Sequence, residues 1–378
     1  MRIAYFSDTF LPNVNGVVTS ICNSSKMLAE RGHKVMIFTR RPKDSSKPQL
    51  SNDISMVYFP RMGIELYPDF DFALPRVFKM FFALCRFRPE IIHIHTPGPI
   101  GVVAILFGKL LRIPIVNTYH TTLPDILGHI PLPNIEKNRV AKHATWTYTR
   151  RYYRRSSAVI APSESTKKEI EAQRLRNVVV ISNGVDTAEF KHAPIQHKEF
   201  QVLHVGRISY EKNIDVALNA FKLFSEKHTA KLKIVGDGPD LEILKKLAVD
   251  LGIDAEFTGR ISMEELLKAY NSADVFITAS TMETEGLVVL EAMACGVPVI
   301  GVNARAVPRI VRHGENGFIA APGDVRGLAD CLSKVFALRK EKFSPNARRT
   351  AEEHSLDKSI DKIEKLYYNL VARKLPSQ

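Results

Sequence analysis

The sequence predicts two α/β domains, each a parallel sheet covered by helices. Three observations carry this. The chain has 378 residues, more than one hydrophobic core usually spans and close to two ordinary domains. Short apolar runs alternate with helical spacings, the pattern of buried strands linked by crossover helices. The alternation stops in a polar, aperiodic stretch at 187–199 and then starts afresh. The expected domains are therefore 1–193 and 194–354, facing a cleft. A helical tail at 355–378 could belong to either, or cross back to the first.

The elements follow in order. Arg2–Phe6 is a short apolar strand. Ser7–Gly16 carries loop signals in Pro12, Asn13, Asn15 and Gly16. Val17–Arg31 has helical spacing and stops at Gly32, a carboxyl-cap residue. Lys34–Phe38 is the next strand, with Ile91–His95, Ile115–Asn117 and Ala158–Ile160 as further buried candidates. Beyond the polar stretch come strand Val202–Val205, helix Asp215–Lys227, strand Lys231–Val235 and helix Glu242–Leu251. Strand Asp274–Thr278, helix Leu287–Ala294 and strand Val299–Gly301 follow, and Ser355–Ala372 is the last helix. There is no short repeat and no low-complexity tract.

Composition narrows the class. Hydrophobic residues make up 45% and charged residues 25%, which excludes collagen-like, disulfide-framework and mostly disordered readings. The longest apolar run, Ile100–Phe107, falls well short of the roughly 20 residues of a membrane-spanning helix. Met1-Arg2 leads straight into a strand and then Asp8, unlike a signal peptide. Cys22, Cys85, Cys295 and Cys331 are scattered in apolar stretches with no C-x-x-C. They read as buried free thiols in a reducing, cytoplasmic setting rather than as a zinc site.

The formal charge is +13, and residues 1–193 hold +12 of it. A one-sided basic surface calls for an anionic partner: nucleic acid, anionic lipid or a phosphorylated substrate. A merely soluble basic surface is the bland alternative.

Three motifs could carry chemistry. The loop Asp8–Val17 lies between the first strand and first helix, where ligands of open parallel sheets bind. Gly16 at the helix entrance could let backbone N–H groups meet a phosphate; an ordinary βα turn fits equally. His204–Asn213 ends a strand in Gly206-Arg207, with Lys212 five residues on. A guanidinium fork and a point charge suit a diphosphate; two solvated cations are the alternative. Glu283–Glu291 places two carboxylates eight positions apart around Gly286, with Glu291 about two turns into a helix. Carboxylates suit a ribose diol or sugar hydroxyls, and the N–H groups at Gly286, Leu287 and Val288 suit an anion. A helix-entrance glutamate plus a solvated one is the simpler alternative.

Taken together, the motifs resemble the signature of the retaining, nucleotide-sugar-dependent glycosyltransferases of the GT-B fold (two Rossmann-like domains), family-4-like. The resemblance covers essentially the whole chain. It rests on Phe10–Val17, Thr118-Tyr119-His120-Thr121, Pro162-Ser163, Asn183-Gly184-Val185-Asp186, Gly206-Arg207, Lys212-Asn213 and Gly236-Asp237-Gly238-Pro239. Its most specific element is Glu-x7-Glu, Glu283 to Glu291, followed by Ala292–Val299.

The resemblance implies roles. Gly16 meets the donor phosphate. Arg207 and Lys212 neutralise the departing diphosphate. Glu283 holds hydroxyls of the transferred sugar, and Glu291 the ribose diol. Gly286, Leu287 and Val288 offer backbone donors. His120 lies by the reacting centre and Arg260 near the base. The acceptor hydroxyl gives its proton to the leaving phosphate. Two cations stabilise the growing negative charge, so no metal or other cofactor is expected. Asp69-Phe70-Asp71 matches a D-x-D pattern but at a position wrong for the cleft.

Thr278–Val288, Tyr119–Thr122 and His129-Ile130-Pro131 are most similar to the diacylglycerol glucosyltransferases. That implies glucose transfer from UDP-glucose to a lipid at the cytoplasmic membrane face. Lys137–Arg155 carries Arg139, Lys142, Arg150, Arg151, Arg154 and Arg155 among Trp146, Tyr148, Tyr152 and Tyr153. This composition suits the headgroup level of an anionic bilayer; a solvated helix with its aromatics on the core also fits. Arg76–Arg88, with Phe78, Phe81, Phe82 and Phe87, is a second membrane candidate, although its apolarity favours a core helix. Three rivals are a nucleic-acid binder, a GT-B epimerase and a transferase with a soluble or polysaccharide acceptor. No nucleic-acid module is recognisable, so nucleic acid is not an expected partner.

Overall fold

The computed structural model describes all residues except 14, 43–49, 68–69, 121, 123–137 and 374–378, and only the backbone at 63–67 and 70–71. Thr121, His129, Ile130, Pro131, Lys137 and Asp69, named above, lie outside the described residues.

Packing divides the chain into two units. Unit 1 is Met1–Asn183 with Asp357–Gln378, and unit 2 is Gly184–Leu356. Unit 1 opens with β1 (Arg2–Ser7), α1 (Gly16–Glu30), β2 (Lys34–Arg40) and β3 (Ile54–Phe59). Next come a small antiparallel pair, β4 (Arg61–Tyr67) and β5 (Phe70–Ala73), then α2 (Val77–Phe87), β6 (Ile91–Ile94), α3 (Pro99–Leu110) and β7 (Ile115–Thr118). α4 (Arg139–Tyr153), β8 (Ala158–Ala161), α5 (Glu164–Ala172) and β9 (Val178–Val180) complete that segment.

Unit 2 holds β10 (Phe200–Val205), α6 (Ile214–Ser225), β11 (Ala230–Val235), α7 (Leu241–Leu251), β12 (Ala255–Gly259) and α8 (Met263–Ser272). It continues through β13 (Val275–Ile277), α9 (Leu287–Ala294), β14 (Val299–Val302), α10 (Val307–Ile310) and β15 (Gly317–Ala320). α11 (Val325–Leu338) and α12 (Ser344–Glu353) follow. The last helix, α13 (Leu356–Ala372), returns the chain to unit 1.

Both main sheets are parallel. The first runs β3-β2-β1-β6-β7-β8-β9 and the second β12-β11-β10-β13-β14-β15. In each, the first strand lies beside the fourth one of that sheet, so the winding reverses there. Open sheets bind ligands beyond the carboxyl ends of strands at such a reversal. The points in question are β1/β6 and β10/β13.

Strands buried on both faces explain the continuous apolar runs. In β1 the residues alternate between faces. Ala4 and Phe6 join a core with Met80 and Leu84 of α2, Ile105 and Phe107 of α3, Tyr152 and Tyr153 of α4 and Ile170 of α5. Tyr5 faces the other way, where its hydroxyl donates to Ser24 Oγ of α1 at 3.3 Å. α13 lies on that second side. Its Tyr367 hydroxyl is 2.5 Å from His93 Nδ1, and Arg31 Nη1 lies 2.6 Å from both Asp361 and Glu364. Helices α2 to α5 therefore cover one face and α1 with α13 the other.

Three expectations are corrected. The polar stretch at 187–199 does not separate the units; it belongs to unit 2. Phe190 is buried. Arg348 donates to the carbonyls of Phe190 (2.8 Å), Ala294 (2.6 Å) and Thr187 (3.0 Å). Arg348 thus ties the backbone of this stretch into unit 2, so it is no linker. Second, α2 is not a core helix all round: Phe78 is 79% and Phe82 67% exposed. Third, the thiols are not uniformly buried. Cys85, on α2, is exposed and Cys22 half-buried, while Cys295 and Cys331 are buried. Redrawing the boundary sharpens the charge split: unit 1 carries net +15 and unit 2 net −2.

Candidate functional site

In unit 2 the candidate donor residues gather at the carboxyl ends of neighbouring strands. β10 ends at Val205, and Gly206-Arg207 follows with Arg207 half-buried. A single 3-10 turn, Tyr210–Lys212, then turns the chain into α6. Lys212 Nζ reaches 2.6 Å from Glu283 Oε1. Glu283 comes from the loop after β13, the strand beside β10. Burial alone would raise its pKa. The Lys212 ammonium, a Ser280 hydrogen bond and His204 outweigh this and hold the carboxyl below its ordinary range.

His204 lies within electrostatic reach of this pair. Its Nδ1 donates to the Ile277 carbonyl at 2.9 Å, the role a neutral ring can take. Burial lowers its pKa to about 4, with Lys212 adding to the effect. His204 Nε2 is buried without a hydrogen-bond partner.

Gly286 precedes α9 with φ +84°, a left-handed turn that favours glycine. The first N–H groups of a helix, here those of Leu287 and Val288, have no acceptor within it. Glu291 is the fifth residue of α9, little more than one turn in rather than the expected two. Tyr270 donates to its Oε2 at 2.8 Å. Burial pushes the Glu291 carboxyl up to about 7, against the Tyr270 hydrogen bond.

The segment Gly236-Asp237-Gly238 lies against Gly206–Ile208. Ile208 N donates to Asp237 O at 3.0 Å, and a Cβ on Gly236 (φ +139°) would stand 1.8 Å from the Gly206 carbonyl oxygen. This fit leaves no room for a side chain and sets the backbone next to Arg207. Arg260 is exposed at the end of β12, with its Nε 3.5 Å from Asp237 Oδ2. Lys212 and Glu283 are thus joined directly, Arg260 is linked to Asp237, and Glu291 is joined to Tyr270. The ensemble offers cations, a helix entrance and hydroxyl acceptors, which suits an anionic, hydroxyl-rich ligand.

In unit 1, Gly16 is exposed as the first residue of α1. Asn15 Oδ1 already accepts from Val17 N and Val18 N at 3.1 and 3.0 Å. Two N–H groups expected to face an anion are thus held by a side chain, because asparagine is a strong amino-terminal cap. His120 follows β7, and its Nε2 lies 3.1 Å from His95 Nδ1. Burial lowers the His120 pKa to about 3. Asp8 is buried, accepting from Thr96 Oγ1 (3.0 Å) and Ala73 N (3.3 Å), and burial raises it to about 7.

In α4, Asn138 caps the first turn. Arg139, Lys142, Arg151, Arg154 and Arg155 are exposed, while Trp146 and Arg150 are half-buried. Tyr152 and Tyr153 do not stand among the arginines as headgroup anchors, while Tyr148 is exposed. Tyr152 and Tyr153 are core residues, Tyr152 donates to Thr96 O, and Tyr148 donates to Pro97 O at 2.6 Å. Among the described residues no helix is long and apolar enough to cross a membrane. Nor do three or more His, Cys, Asp or Glu side chains there form a group able to hold a metal ion.

Sequence reasoning gave no role to His95 or Tyr270, and took His204 and Asp237 only as members of the motifs around Gly206-Arg207 and Gly236–Pro239.

Residues 14–189 match the model described as Glycosyltransferase Family 4, and residues 185–350 that of Glycosyl transferases group 1. An alpha-monoglucosyldiacylglycerol synthase of Streptococcus pneumoniae is 33% identical over 79% of this chain and 70% of its own. Sulfoquinovosyl transferase SQD2 of Arabidopsis thaliana is 30% identical over 97% of this chain and 73% of its own. Sucrose-phosphate synthase of Thermosynechococcus elongatus shares the fold, with a TM-score of 0.80 at 21% identity over 98% of this chain and 99% of that one.

Proposed function

The chain belongs to the GT-B glycosyltransferases with family-4 and group-1 domains, and from that premise we propose that it moves a hexose, with retention, from UDP-glucose to a lipid hydroxyl such as that of diacylglycerol. The observation that carries the reading is the Lys212–Glu283 pair at the β10/β13 reversal, beside the entrance of α9. The glucosyldiacylglycerol product in the name of the Streptococcus pneumoniae relative supports the lipid acceptor.

In this reading the donor diphosphate takes Lys212 and Arg207 as counter-ions. Glu283, released from Lys212, turns its oxygens to hydroxyls of the sugar. Glu291 accepts from the ribose diol, Gly286 to Val288 present N–H groups to the sugar or phosphate, and the Gly16 backbone is assigned to the phosphate. Arg260 stands by the base and His120 by the reacting carbon. As the bond from the anomeric carbon to the phosphate oxygen breaks, negative charge grows on the diphosphate, and preorganised cations stabilise that charge where it forms. The acceptor oxygen bonds to the anomeric carbon on the same face, and its proton passes to the departing phosphate. No metal enters the scheme.

The test is product mass after incubation with UDP-glucose or GDP-mannose and diacylglycerol in mixed micelles, with and without chelator. A monoglucosyl lipid, formed equally in chelator, supports the reading. Transfer only to soluble acceptors, or a full loss in chelator restored by metal, overturns it.

A further inference from the structure

We propose that His95 is the positioning residue of His120: it donates from Nδ1 to His120 Nε2 and so fixes His120 as a neutral ring whose one proton sits on Nδ1. His120 then meets a ligand as a hydrogen-bond donor and not as a base. The inference deepens the reading in which His120 stands by the reacting carbon. It rests on that reading for its purpose, though not for its spectroscopic test.

The two residues follow adjacent parallel strands of the first sheet, His95 directly after β6 and His120 shortly after β7. Their rings meet nitrogen to nitrogen, with His95 Nδ1 and His120 Nε2 3.1 Å apart. The ring planes differ by 18° and the ring centres lie 5.4 Å apart. No wider spacing of centres is open to two five-membered rings with that contact. The bond therefore runs in line with both rings, the geometry of a well-formed hydrogen bond. One nitrogen gives the proton and the other takes it, and each neutral ring carries a single N–H. The pair is thus either Nδ1–H in both rings or Nε2–H in both. Burial holds both rings neutral: it lowers His120, and with the neighbouring rings of His93 and His120 it lowers His95 well below its ordinary value.

The far nitrogen of His95 decides between the two. His95 Nε2 is buried and no protein group bonds to it. The ring lines a cavity of about 10 Å³, at the floor of the roughly 10–15 Å³ that one water needs. Hydroxyls around that cavity are committed elsewhere. Ser20 Oγ donates to Asn183 Oδ1 at 2.9 Å, Ser24 Oγ donates to Ser20 O at 2.6 Å, and Thr118 Oγ1 lies 2.7 Å from His93 Nε2. An Nε2–H on His95 would thus be a buried donor with no acceptor, which folded proteins avoid more strictly than an unused lone pair. His93 shows the contrast, since Tyr367 meets its Nδ1 and Thr118 its Nε2. Its ring and that of Tyr5 pack on His95 with centres 4.2 and 4.6 Å away, which holds His95 in place. The Nδ1–H form is therefore the one the surroundings select, and the hydrogen bond made by one ring nitrogen sets the role of the other. With its Nε2 lone pair spent on His95, His120 has no lone pair left to take a proton. That agrees with an acceptor proton that passes to the departing phosphate.

The first experiment is a long-range proton–nitrogen correlation spectrum of the full chain labelled with heavy-nitrogen histidine, near neutral pH. His95→Asn and His120→Asn assign the two rings. Both should show the Nδ1–H pattern, opposite to the Nε2–H form that free histidine prefers. In His95→Leu the His120 pattern should move toward Nε2–H. An Nε2–H pattern for either ring in the parent overturns the proposal. The second experiment is turnover of UDP-glucose in mixed micelles. His95→Leu should lower kcat about 10- to 100-fold, the scale of a misplaced group at a reacting centre. KM for the donor should change less than about twofold, because ground-state binding is untouched. His95→Asn sets an amide N–H where Nδ1 stands and should keep kcat within about threefold of the parent. His95→Gln, whose amide lies one atom farther out, should lose as much as His95→Leu. Should the leucine variant fail to fold, the asparagine and glutamine variants carry the same test. Equal losses in asparagine and glutamine variants would reduce His95 to a packing residue and overturn the proposal, as would parent-like kcat in both. A parent that transfers sugar from no donor overturns the transfer reading instead, and the spectrum still decides the tautomer.

Discussion

Lys212 Nζ and Glu283 Oε1 are 2.6 Å apart although 71 residues separate them in sequence. In the proposed reading each is the counter-ion that the other gives up when a donor arrives. Lys212→Ala should lower turnover by about 100- to 1000-fold, the loss typical when a donor to growing transition-state charge is removed, with circular dichroism unchanged. It should also raise the Glu283 pKa, because burial then meets only the weaker opposition of the Ser280 hydrogen bond and His204. With a depressed folded pKa, the pair adds stability above the ordinary glutamate range and loses it as pH falls through the folded value. Urea midpoints of Lys212→Ala should therefore lack that acid-side slope. Parent-like turnover would remove Lys212 from the diphosphate site.

Glu291 has the opposite sign. Its folded pKa is raised to about 7 from an ordinary 4.5. The neutral form is favoured in the fold, so its contribution is full below about 4.5 and declines until pH passes 7, by up to about 3 kcal/mol. Glu291→Gln should flatten this decline in denaturant midpoints measured from pH 4 to 8. The same variant should weaken donor binding about tenfold, since an amide offers a diol fewer acceptor sites. A slope unchanged by the substitution would show that another group titrates.

His93 and His120 each titrate near pH 3, with burial as the leading cause. Both rings are neutral between pH 5 and 8. Turnover should show no inflection in that range that disappears in His120→Asn, and the ring C–H resonances of both should stay fixed in an NMR titration. A midpoint near 6.5 for either would contradict the buried geometry.

Tyr367→Phe removes the hydroxyl that His93 Nδ1 meets at 2.5 Å. A buried ring nitrogen is then left unsatisfied, at a cost of about 1 to 3 kcal/mol. Thermal unfolding should shift down accordingly, and amide exchange in α13 should quicken. If neither moves, the hold on α13 comes from the Arg31 and His33 contacts to it and from its buried Ile360 and Ile363.

Legibility in the sequence follows burial. β1, β6, β10, β13 and β14 sit in sheet interiors, so both faces are apolar and their runs stand out. Edge strands do not. β12 reads Ala-Glu-Phe-Thr-Gly and is only half-buried, and β9 has three residues. α2 misleads for a related reason: a helix apolar on both sides reads as core, and periodicity cannot tell a partner domain from a lipid surface. At the site, Arg207, Lys212, Glu283 and Glu291 are visible as charged groups in patterned loops. The Lys212–Glu283 contact is not visible, because pairing across 71 residues is a property of strand order. Tyr270 is hidden because it is one polar residue within an amphipathic helix, and His204, although part of a motif, has no visible role because it sits inside a buried strand.

Unit 1 draws on two segments of chain, with all of unit 2 between them. During synthesis the partner of His93 Nδ1 is made 274 residues later. Until α13 emerges, the face of the first sheet that carries Tyr5 and His93 lacks part of its cover, while unit 2 already has its whole sequence. The half made first is thus the half finished last. A nascent chain must keep an open, basic unit from aggregating through the entire making of its neighbour, and a stop codon in the last turns of α13 harms the beginning of the protein rather than its end.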